Sequence, residues 1–199
     1  MKLCQLCNVG KSAVVGDLGR INKLIKRAKQ ESVKTRYPSL GDPKDWIVVV
    51  YCDSSFANLP DGASQGGFIV FLSSPGNKVA PMSWQSKKLN RVTRSTLSSE
   101  TLAMVEGVDA GFLVMKQIEE MLLVKPPVVV YTDNRSLHQT VHTSHVIRDK
   151  SLRVNVGFLR QLVNNHEIEV KWIESQQQLA DALTKQGASA ASLIRVLNT

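Results

Sequence analysis

Two carboxylates stand at or near the ends of apolar, β-branched segments, where a negative charge is costly unless it meets a cation or a hydrogen-bond donor. Asp53 ends the run WIVVVYCD, and Asp133 ends the run PVVVYTD. Continuous apolar runs of this length are typical of strands that are covered on both faces of a sheet. We therefore expect both carboxylates at one edge of a buried sheet, where parallel strands place their functional groups.

Two further carboxylates lie in segments with helical patterns. Glu100 lies three or four positions from Leu97, Ala103 and Met104, so these side chains share one face of a helix. That face is apolar, which predicts that Glu100 points toward the sheet. Asp181 has alanine on both sides, and such small neighbours would let a helix carrying Asp181 approach the sheet closely.

A set of four carboxylates without a Cys/His cluster favours Mg²⁺ or Mn²⁺ over zinc or copper, because these hard cations prefer oxygen ligands. Two such ions would neutralise most of the charge and could activate a water and stabilise a leaving 3′ oxygen in phosphodiester hydrolysis. Each residue alone has a plainer interpretation. Asp133 could cap a helix, Asp53 could start a turn, and Glu100 and Asp181 could be surface charges.

The elements around these carboxylates follow from periodicity and turn residues. Three strands with short connections predict an antiparallel meander, and a long helix that Pro126 ends leads into a fourth strand. Two helices, a fifth strand and a terminal helix complete the order βββαβ, α, α, β, α. This order predicts an α/β fold with a mixed five-stranded sheet flanked by helices. The predicted strands are residues 46–53, QGGFIVFLS, KVAPMSWQS, 127–133 and EIEVKWI. The predicted helices are residues 97–122 between the third and fourth strands, a short stretch and 149–164 between the fourth and fifth, and QQLADALTK at the end.

Composition narrows the class of partner. The net charge of +8 and the pI of about 9.5 favour a polyanion such as nucleic acid, although a basic excess also serves solubility. The odd set Cys4, Cys7 and Cys52 argues against a disulfide framework, and a lone CxxC is weak support for zinc. No window approaches the ~20 apolar residues of a membrane span, so we expect an intracellular protein without a membrane partner.

The segment before the first strand has a different character. From Asp17, apolar residues at helical spacing are surrounded by arginine and lysine, which predicts an amphipathic basic helix with a packed apolar stripe. Pro38, Gly41, Asp42 and Pro43 then indicate a linker. We divide the chain into residues 1–45, a main domain over 46–187, and a helical tail over 188–199.

Several long motifs, in one order, resemble the ribonuclease H domain in the Pol polyproteins of copia-type LTR retrotransposons. The resemblance runs from about Asp17 to the C-terminus. It rests on VVVYCDSSFANLPDGASQGGFIVFL, PMSWQSKKLNRVTRSTLSSETLAMVEG, VVVYTDNRSL, DKSLRVNVGFLRQ and QLADALTKQGAS. The resemblance implies a ribonuclease H-like fold with strand order 3-2-1-4-5. It also implies hydrolysis of the RNA strand of RNA/DNA hybrids and residues 1–45 as the remnant of a connection to reverse transcriptase.

The resemblance also implies site roles. Asp53 would bridge two Mg²⁺ ions, with Mn²⁺ as a substitute, Glu100 and Asp133 would hold the ion nearer the leaving group, and Asp181 would hold the ion that activates water. The implied substrate contacts are Ser54, Gln65, Ser99, Asn134, Lys87 and Lys88. Ser99 could equally cap a helical turn, and the lysines could belong to a solvated loop with Arg91 and Arg94.

One feature departs from many cellular ribonucleases H, in which a histidine precedes the last aspartate and helps the product leave. Here that loop reads ESQQQ, and His145 and His166 are too distant in sequence to be assigned the role. Turnover is expected to be slow, or Glu174 substitutes in part. Trp84 is expected to pack in the core in preference to stacking on nucleic acid.

Two other functions remain open from the sequence. The chain could be a domesticated or decaying fragment that binds nucleic acid or a protein without cleaving, or a different nuclease on the same fold, such as an integrase or a resolvase. The intact quartet argues against the first, and the SSETLA and LADALTK contexts argue against the second. For a ribonuclease H partnered with the reverse transcriptase domain of its polyprotein, we expect a cytoplasmic retroelement particle, with a nuclear location also open.

Overall fold

The computed structural model describes residues 14–30, 35–147 and 149–198 of the chain. The CxxC at Cys4 and Cys7 lies outside these residues. Five strands and six α-helices make up the described part, in the order α1, β1, β2, β3, α2, β4, α3, α4, β5, α5, α6. Their bounds are α1 Val15–Gln30, β1 Ile47–Ser55, β2 Gln65–Ser74, β3 Lys78–Lys88, α2 Thr96–Leu122, β4 Val128–Thr132, α3 Arg135–His142, α4 Lys150–Asn164, β5 Ile168–Trp172, α5 Asp181–Thr184 and α6 Ala191–Leu197.

The sheet has the order β3-β2-β1-β4-β5, as predicted. β1, β2 and β3 pair antiparallel, whereas β4 pairs parallel to both β1 and β5. Because the turns between the first three strands are short and the later connections contain helices, the local chain dictates this mixture of antiparallel and parallel pairing. Parallel pairing of β1 with β4 brings the carboxyl ends of these two strands to the same edge of the sheet.

Helix α2 covers one face of the sheet and forms the larger core with α3 and α4. Its close approach depends on glycine, since a Cβ added at Gly111 would lie 2.7 Å from Cγ2 of Val50. Ser95 caps the first turn by accepting a hydrogen bond from the Ser98 N–H. These contacts fix the rotation of α2, and the helix therefore directs Glu100, which is only 5% exposed, toward the sheet.

Three sequence predictions differ from the structure. The terminal helix is interrupted, with a 3₁₀ turn at Ser175–Gln177, the four-residue helix α5, and then α6. Helix α1 forms, but Leu18 and Ile25 on its apolar stripe remain 62% and 49% exposed, so the predicted packing is absent from the described residues. Trp84 was expected in the core and is 61% exposed, because it lies on the outward side of the edge strand β3. Among the described residues, no helix combines the length and apolar character that crossing a membrane requires.

Candidate metal centre

A notch in the sheet edge forms because β4 ends before its parallel neighbour β1. The last residue pair between β1 and β4 is Tyr51 with Tyr131, whereas β1 continues to Ser55 along β2. Asp53 lies in this overhanging part of β1, within the strand and not in a turn. Asp133 follows β4 directly after Thr132. The two predicted strand-end carboxylates therefore face one another at the edge of the sheet, as expected.

Asp181 reaches the same notch from the other end of the chain. After β5, the 3₁₀ turn carries the chain back over the carboxyl ends of the strands, and α5 begins at Asp181. One carboxylate oxygen from each of Asp53, Asp133 and Asp181 can be chosen so that all three lie within 4.8 Å of one another. Three negative groups this close repel strongly unless a cation or protons compensate them.

Asp53 is fully buried and is held by groups from α5 and its C-terminal end. Thr184 Oγ1 donates a hydrogen bond to Asp53 Oδ2, and Lys185 Nζ lies 3.3 Å from Asp53 Oδ1 and 2.6 Å from Asp181 Oδ1. Apart from the Lys185 ammonium, Asp53 Oδ1 has no hydrogen-bond donor within the described part of the chain. Helix α5 approaches this closely because β2 has glycine opposite, since a Cβ on Gly67 would lie 2.9 Å from Thr184 Cγ2.

Burial sets the protonation behaviour of the inner carboxylates. Burial raises the pKa of Asp53 to about 7, while the Lys185 ammonium and the Thr184 hydroxyl oppose the rise. The pKa of Glu100 is also raised well above its usual range, first by burial and then by the charge of Asp53. For Lys185, burial acts to lower the pKa, but Asp53 and Asp181 outweigh it, and the pKa is raised. The site therefore favours binding positive charge, as protons or as a cation.

Asp133 is held by contacts from β5 and the turn after it. Ser175 Oγ donates a 2.7 Å hydrogen bond to Asp133 Oδ2, and Trp172 Nε1 donates to the Asp133 carbonyl oxygen at 2.9 Å. The Arg135 guanidinium lies 4.3 Å from the centre of the Trp172 ring, a cation–π contact that keeps the indole in place. The following helix is capped by Asn134, which leaves the Asp133 carboxylate available to the notch.

Glu100 borders this cluster but is not among the three carboxylates grouped within 4.8 Å. Its charge acts on Cys52, whose pKa is raised by burial and then by Glu100 and Asp53. The nearby Ser54 side chain opposes the rise in the Glu100 pKa. The structure thus brings three of the four predicted ligands into one set and places the fourth beside them.

The predicted substrate contacts divide into buried and accessible residues. Ser54 and Ser99 are buried, with the Ser54 hydroxyl donating to Ser99 Oγ at 2.8 Å. Gln65 is fully buried and donates from Nε2 to Ser86 Oγ at 3.0 Å, so in this conformation it faces the interior. Asn134 is half-buried, and its side-chain oxygen accepts from the Leu137 N–H. The geometry gives Gln65 a structural contact, and its predicted role at the substrate would require its side chain to move.

Lys87 and Lys88 end strand β3 and do not belong to the solvated loop that was the alternative expectation, and both already have intramolecular partners. Lys87 Nζ lies 3.1 Å from Glu106, and Lys88 forms an ion pair with Asp61. Both pairs are partly exposed and therefore weak, so a phosphate could replace the carboxylates.

His166 precedes β5, at the end of the sheet opposite the notch.

Four residues of this site were not identified from the sequence as part of it. Thr184 and Lys185 follow Asp181 by three and four positions, and this helical spacing alone could have indicated that they contact it. Ser175 and Trp172 carried no comparable local signal, because their contacts with Asp133 connect residues about 40 positions apart. These contacts depend on the parallel pairing of β4 with β5.

The donor set fits a hard divalent cation. The three grouped ligands are carboxylate oxygens, which Mg²⁺ and Mn²⁺ prefer. Asp53 Oδ1 is a buried carboxylate oxygen whose polar partner among the described residues is the Lys185 ammonium at 3.3 Å, and a metal ion could take the place of that ammonium. The Lys185 ammonium between Asp53 and Asp181 shows that the notch already attracts a positive charge.

Curated proteins with similar sequences are retrovirus-related Pol polyproteins. No protein-family profile matches the chain. Among curated proteins, it is 29% identical over 139 residues to the Retrovirus-related Pol polyprotein from transposon RE1 of Arabidopsis thaliana, covering 68% of this chain and 9% of that protein. It is 28% identical over 142 residues to the Retrovirus-related Pol polyprotein from transposon TNT 1-94 of Nicotiana tabacum, and the match covers 71% of this chain and 10% of that protein. The chain therefore spans about a tenth of the length of these relatives.

Solved structures identify the fold. Ribonuclease H1 from Halobacterium salinarum superposes with a TM-score of 0.51 at 16% identity, covering 68% of this chain and 92% of that one. The N-terminal RNase H domain of a Mycobacterium tuberculosis protein superposes with a TM-score of 0.50 at 15% identity, covering 68% of this chain and 94% of that one. The chain has the ribonuclease H fold. The predicted resemblance to Pol polyproteins of copia-type retrotransposons is confirmed over about 70% of the chain.

Proposed function

We propose that this chain is a ribonuclease H domain that hydrolyses the RNA strand of RNA/DNA hybrids with divalent cations. The observation that carries the proposal is the meeting of Asp53, Asp133 and Asp181 in one notch of a ribonuclease H fold. These residues come from three separate parts of the chain. A purely structural cluster of this kind would have to tolerate the repulsion between its members, whereas a metal site uses it.

Asp53, Asp133 and Asp181 would hold Mg²⁺ or Mn²⁺, with Glu100 beside them as a ligand for a second ion. Two such ions supply activation of the attacking water and stabilisation of the leaving oxygen, without a nucleophilic side chain. The chain's own contribution is rigidity. Asp53 is fixed within a central strand and by the Thr184 hydroxyl, so its carboxylate does not have to reorganise.

The substrate class follows from charge and from the accessible groups around the notch. The chain carries a net charge of +8, which favours a nucleic-acid backbone. Asn134 borders the notch, and Lys87 and Lys88 lie at the end of the edge strand β3, where they can exchange carboxylate partners for phosphates. Recognition of a hybrid would rest on the 2′-hydroxyls of one strand and the backbone shape of the other, and base sequence should matter little.

The polyprotein context is also a proposal. The curated relatives are named Pol polyproteins, and this chain matches about a tenth of each. We propose that the domain removes RNA from hybrids made by a reverse transcriptase domain of the same polyprotein. The predicted division at residues 45 and 187, with a cytoplasmic particle as the site of action, belongs to this proposal.

The test is a cleavage assay with three end-labelled substrates: an RNA/DNA hybrid, duplex DNA and single-stranded RNA. We expect cleavage of the RNA strand of the hybrid alone, in Mg²⁺ or Mn²⁺ and not in EDTA. Because an isolated domain can bind weakly, hybrid binding is measured in parallel by fluorescence anisotropy. Measurable binding without cleavage at saturating protein would contradict the proposal and support the non-catalytic alternative.

A further inference from the structure

The notch leaves part of β1 without a neighbouring strand on one side. β4 ends its pairing at Tyr131, whereas β1 continues through Cys52 and Asp53. On the β4 side, backbone groups of this overhang need hydrogen-bond partners from outside the sheet, because a buried carbonyl without a donor is unfavourable. The segment before α5 supplies one.

Gln178 fills this gap with its side chain. Its Nε2 donates a 3.0 Å hydrogen bond to the Cys52 carbonyl oxygen, and its Oε1 accepts a 3.2 Å hydrogen bond from the Ala180 N–H. The side chain is 4% exposed, and both bonds are buried. One amide therefore replaces a strand at this position, as donor to β1 and acceptor from the segment that leads into α5.

These two bonds act on residues adjacent to metal-binding candidates. Cys52 immediately precedes Asp53, and Ala180 immediately precedes Asp181. The other end of α5 has its own attachments, since Ser86 Oγ donates to the Leu183 carbonyl oxygen at 2.6 Å and Asn58 Nδ2 to that of Thr184 at 3.3 Å. Loss of the Gln178 amide would thus release the end of α5 that carries Asp181 and leave the Thr184 end attached.

We propose that Gln178 is a positioning residue that sets the separation of Asp53 and Asp181 for divalent-cation binding. The inference rests on the proposed function only for its consequence in catalysis, since binding of the divalent cation can be measured directly. The amide is suited to this role because it offers a donor and an acceptor on one planar group. A side chain that only filled the space could satisfy neither the Cys52 carbonyl nor the Ala180 N–H.

The experiment compares Gln178→Met with Gln177→Met. Methionine is unbranched and of similar length, so it fills the gap without either strong hydrogen bond, and Gln177 is an exposed residue of the same type one position earlier. Mn²⁺ binding to each folded protein is measured by calorimetry and electron paramagnetic resonance. We expect the Mn²⁺ Kd to rise about ten- to a hundredfold in Gln178→Met, as for other residues that orient ligands, and to stay unchanged in Gln177→Met.

A kinetic comparison separates positioning from general destabilisation. In the cleavage assay at saturating Mn²⁺, we expect kcat of Gln178→Met to fall while KM for the hybrid stays within about twofold of wild type. Circular dichroism verifies that the variant is folded at the assay temperature. Wild-type Mn²⁺ affinity in folded Gln178→Met would overturn the inference while leaving the proposed function intact. A wild-type protein that binds no Mn²⁺ would overturn both.

A measurement on the unmodified protein covers the case in which the variant does not fold. Amide hydrogen exchange by NMR should show the Ala180 N–H protected at least tenfold more than the N–H of a described surface turn residue such as Gly76, because its acceptor is the buried Gln178 oxygen. Exchange of the Ala180 N–H as fast as that of Gly76 would overturn the inference.

Discussion

The four candidate ligands form an inner and an outer pair, and the two pairs are positioned by different means. Asp53 and Glu100, the inner pair, lie on the central strand and on the long helix, and both are buried. Asp133 and Asp181, the outer pair, lie at element ends and are half-buried. Regular secondary structure directs the inner pair, whereas side-chain contacts from β5 and from the segments before and after α5 direct the outer pair. The pairs should therefore respond differently to mutation, to pH and to removal of supporting residues.

The largest expected effect is at the inner pair. Asp53→Asn keeps the size of the side chain and removes the charge that Thr184 and Lys185 contact. We expect hybrid cleavage to fall by more than about a hundredfold, since changes in residues that merely orient ligands already cost about 10–100-fold. The metal-free variant should be about as stable as wild type near pH 7, because the raised pKa of Asp53 shows that burial and the neighbouring carboxylates disfavour its charge more than Lys185 and Thr184 stabilise it. Thermal unfolding in EDTA measures this, and a large loss of stability would contradict the assignment.

The next effect concerns the Lys185 ammonium, which contacts one carboxylate of each pair. Lys185→Met removes the ammonium between Asp53 and Asp181. We expect the metal-free protein to lose about 1–2 kcal/mol, less than the 3–5 kcal/mol of a fully buried pair because Lys185 is partly exposed. Mn²⁺ binding should tighten, since the ion no longer competes with the ammonium.

The matched control is Lys171→Met, which removes an exposed lysine paired with Glu169. Surface pairs of this kind contribute about 0–1 kcal/mol, and no change in Mn²⁺ affinity is expected. Calorimetry and urea unfolding of both variants distinguish the outcomes. Weaker Mn²⁺ binding in Lys185→Met would mean that the lysine supports the ligands more than it competes with the ion.

A smaller effect, from pH, is expected at the inner pair. The pKa of Asp53 is raised to about 7 by burial, so the folded metal-free protein holds a proton that the unfolded chain releases near its ordinary value. Between pH 4 and 7 the folded state therefore binds more protons, and stability in EDTA should decrease as pH rises. Mn²⁺ affinity should increase over the same range, because the ion displaces that proton. Asp53→Asn should reduce the slope of both profiles, with the remainder coming from Glu100, and an unchanged slope would assign them to another group.

The smallest effect is expected at the outer pair. Ser175→Ala removes the 2.7 Å hydrogen bond to Asp133 Oδ2. Because Trp172 still holds the Asp133 backbone, we expect the Mn²⁺ Kd to rise only about three- to tenfold. Ser136→Ala, at an exposed serine in the first turn of α3, is the control and should leave the Kd unchanged. A loss as large as that of Asp53→Asn would remove the distinction between the pairs.

The same division explains what the sequence could predict. The number and type of the strands and the positions of Asp53 and Glu100 follow from apolar periodicity, which is a local signal of the core, whereas the strand order was implied by the family resemblance. The region of Asp181 was predicted as a continuous helix, but α5 has only four residues, because tertiary hydrogen bonds from Gln178 and Ser86 decide its shape. Trp84 was expected to be buried and is exposed. Its residue type suggested the core, whereas its position on the outward side of an edge strand decided otherwise.

The central claim is that the notch is a divalent-cation site. Its most direct test is anomalous diffraction from a Mn²⁺-soaked crystal of the wild-type protein. We predict a Mn²⁺ peak about 2.0–2.3 Å from carboxylate oxygens of Asp53 and at least one of Asp133 and Asp181, with Lys185 displaced from Asp53. A crystal with Mn²⁺ bound elsewhere, and the Lys185 ammonium still paired with Asp53 and Asp181, would contradict the claim.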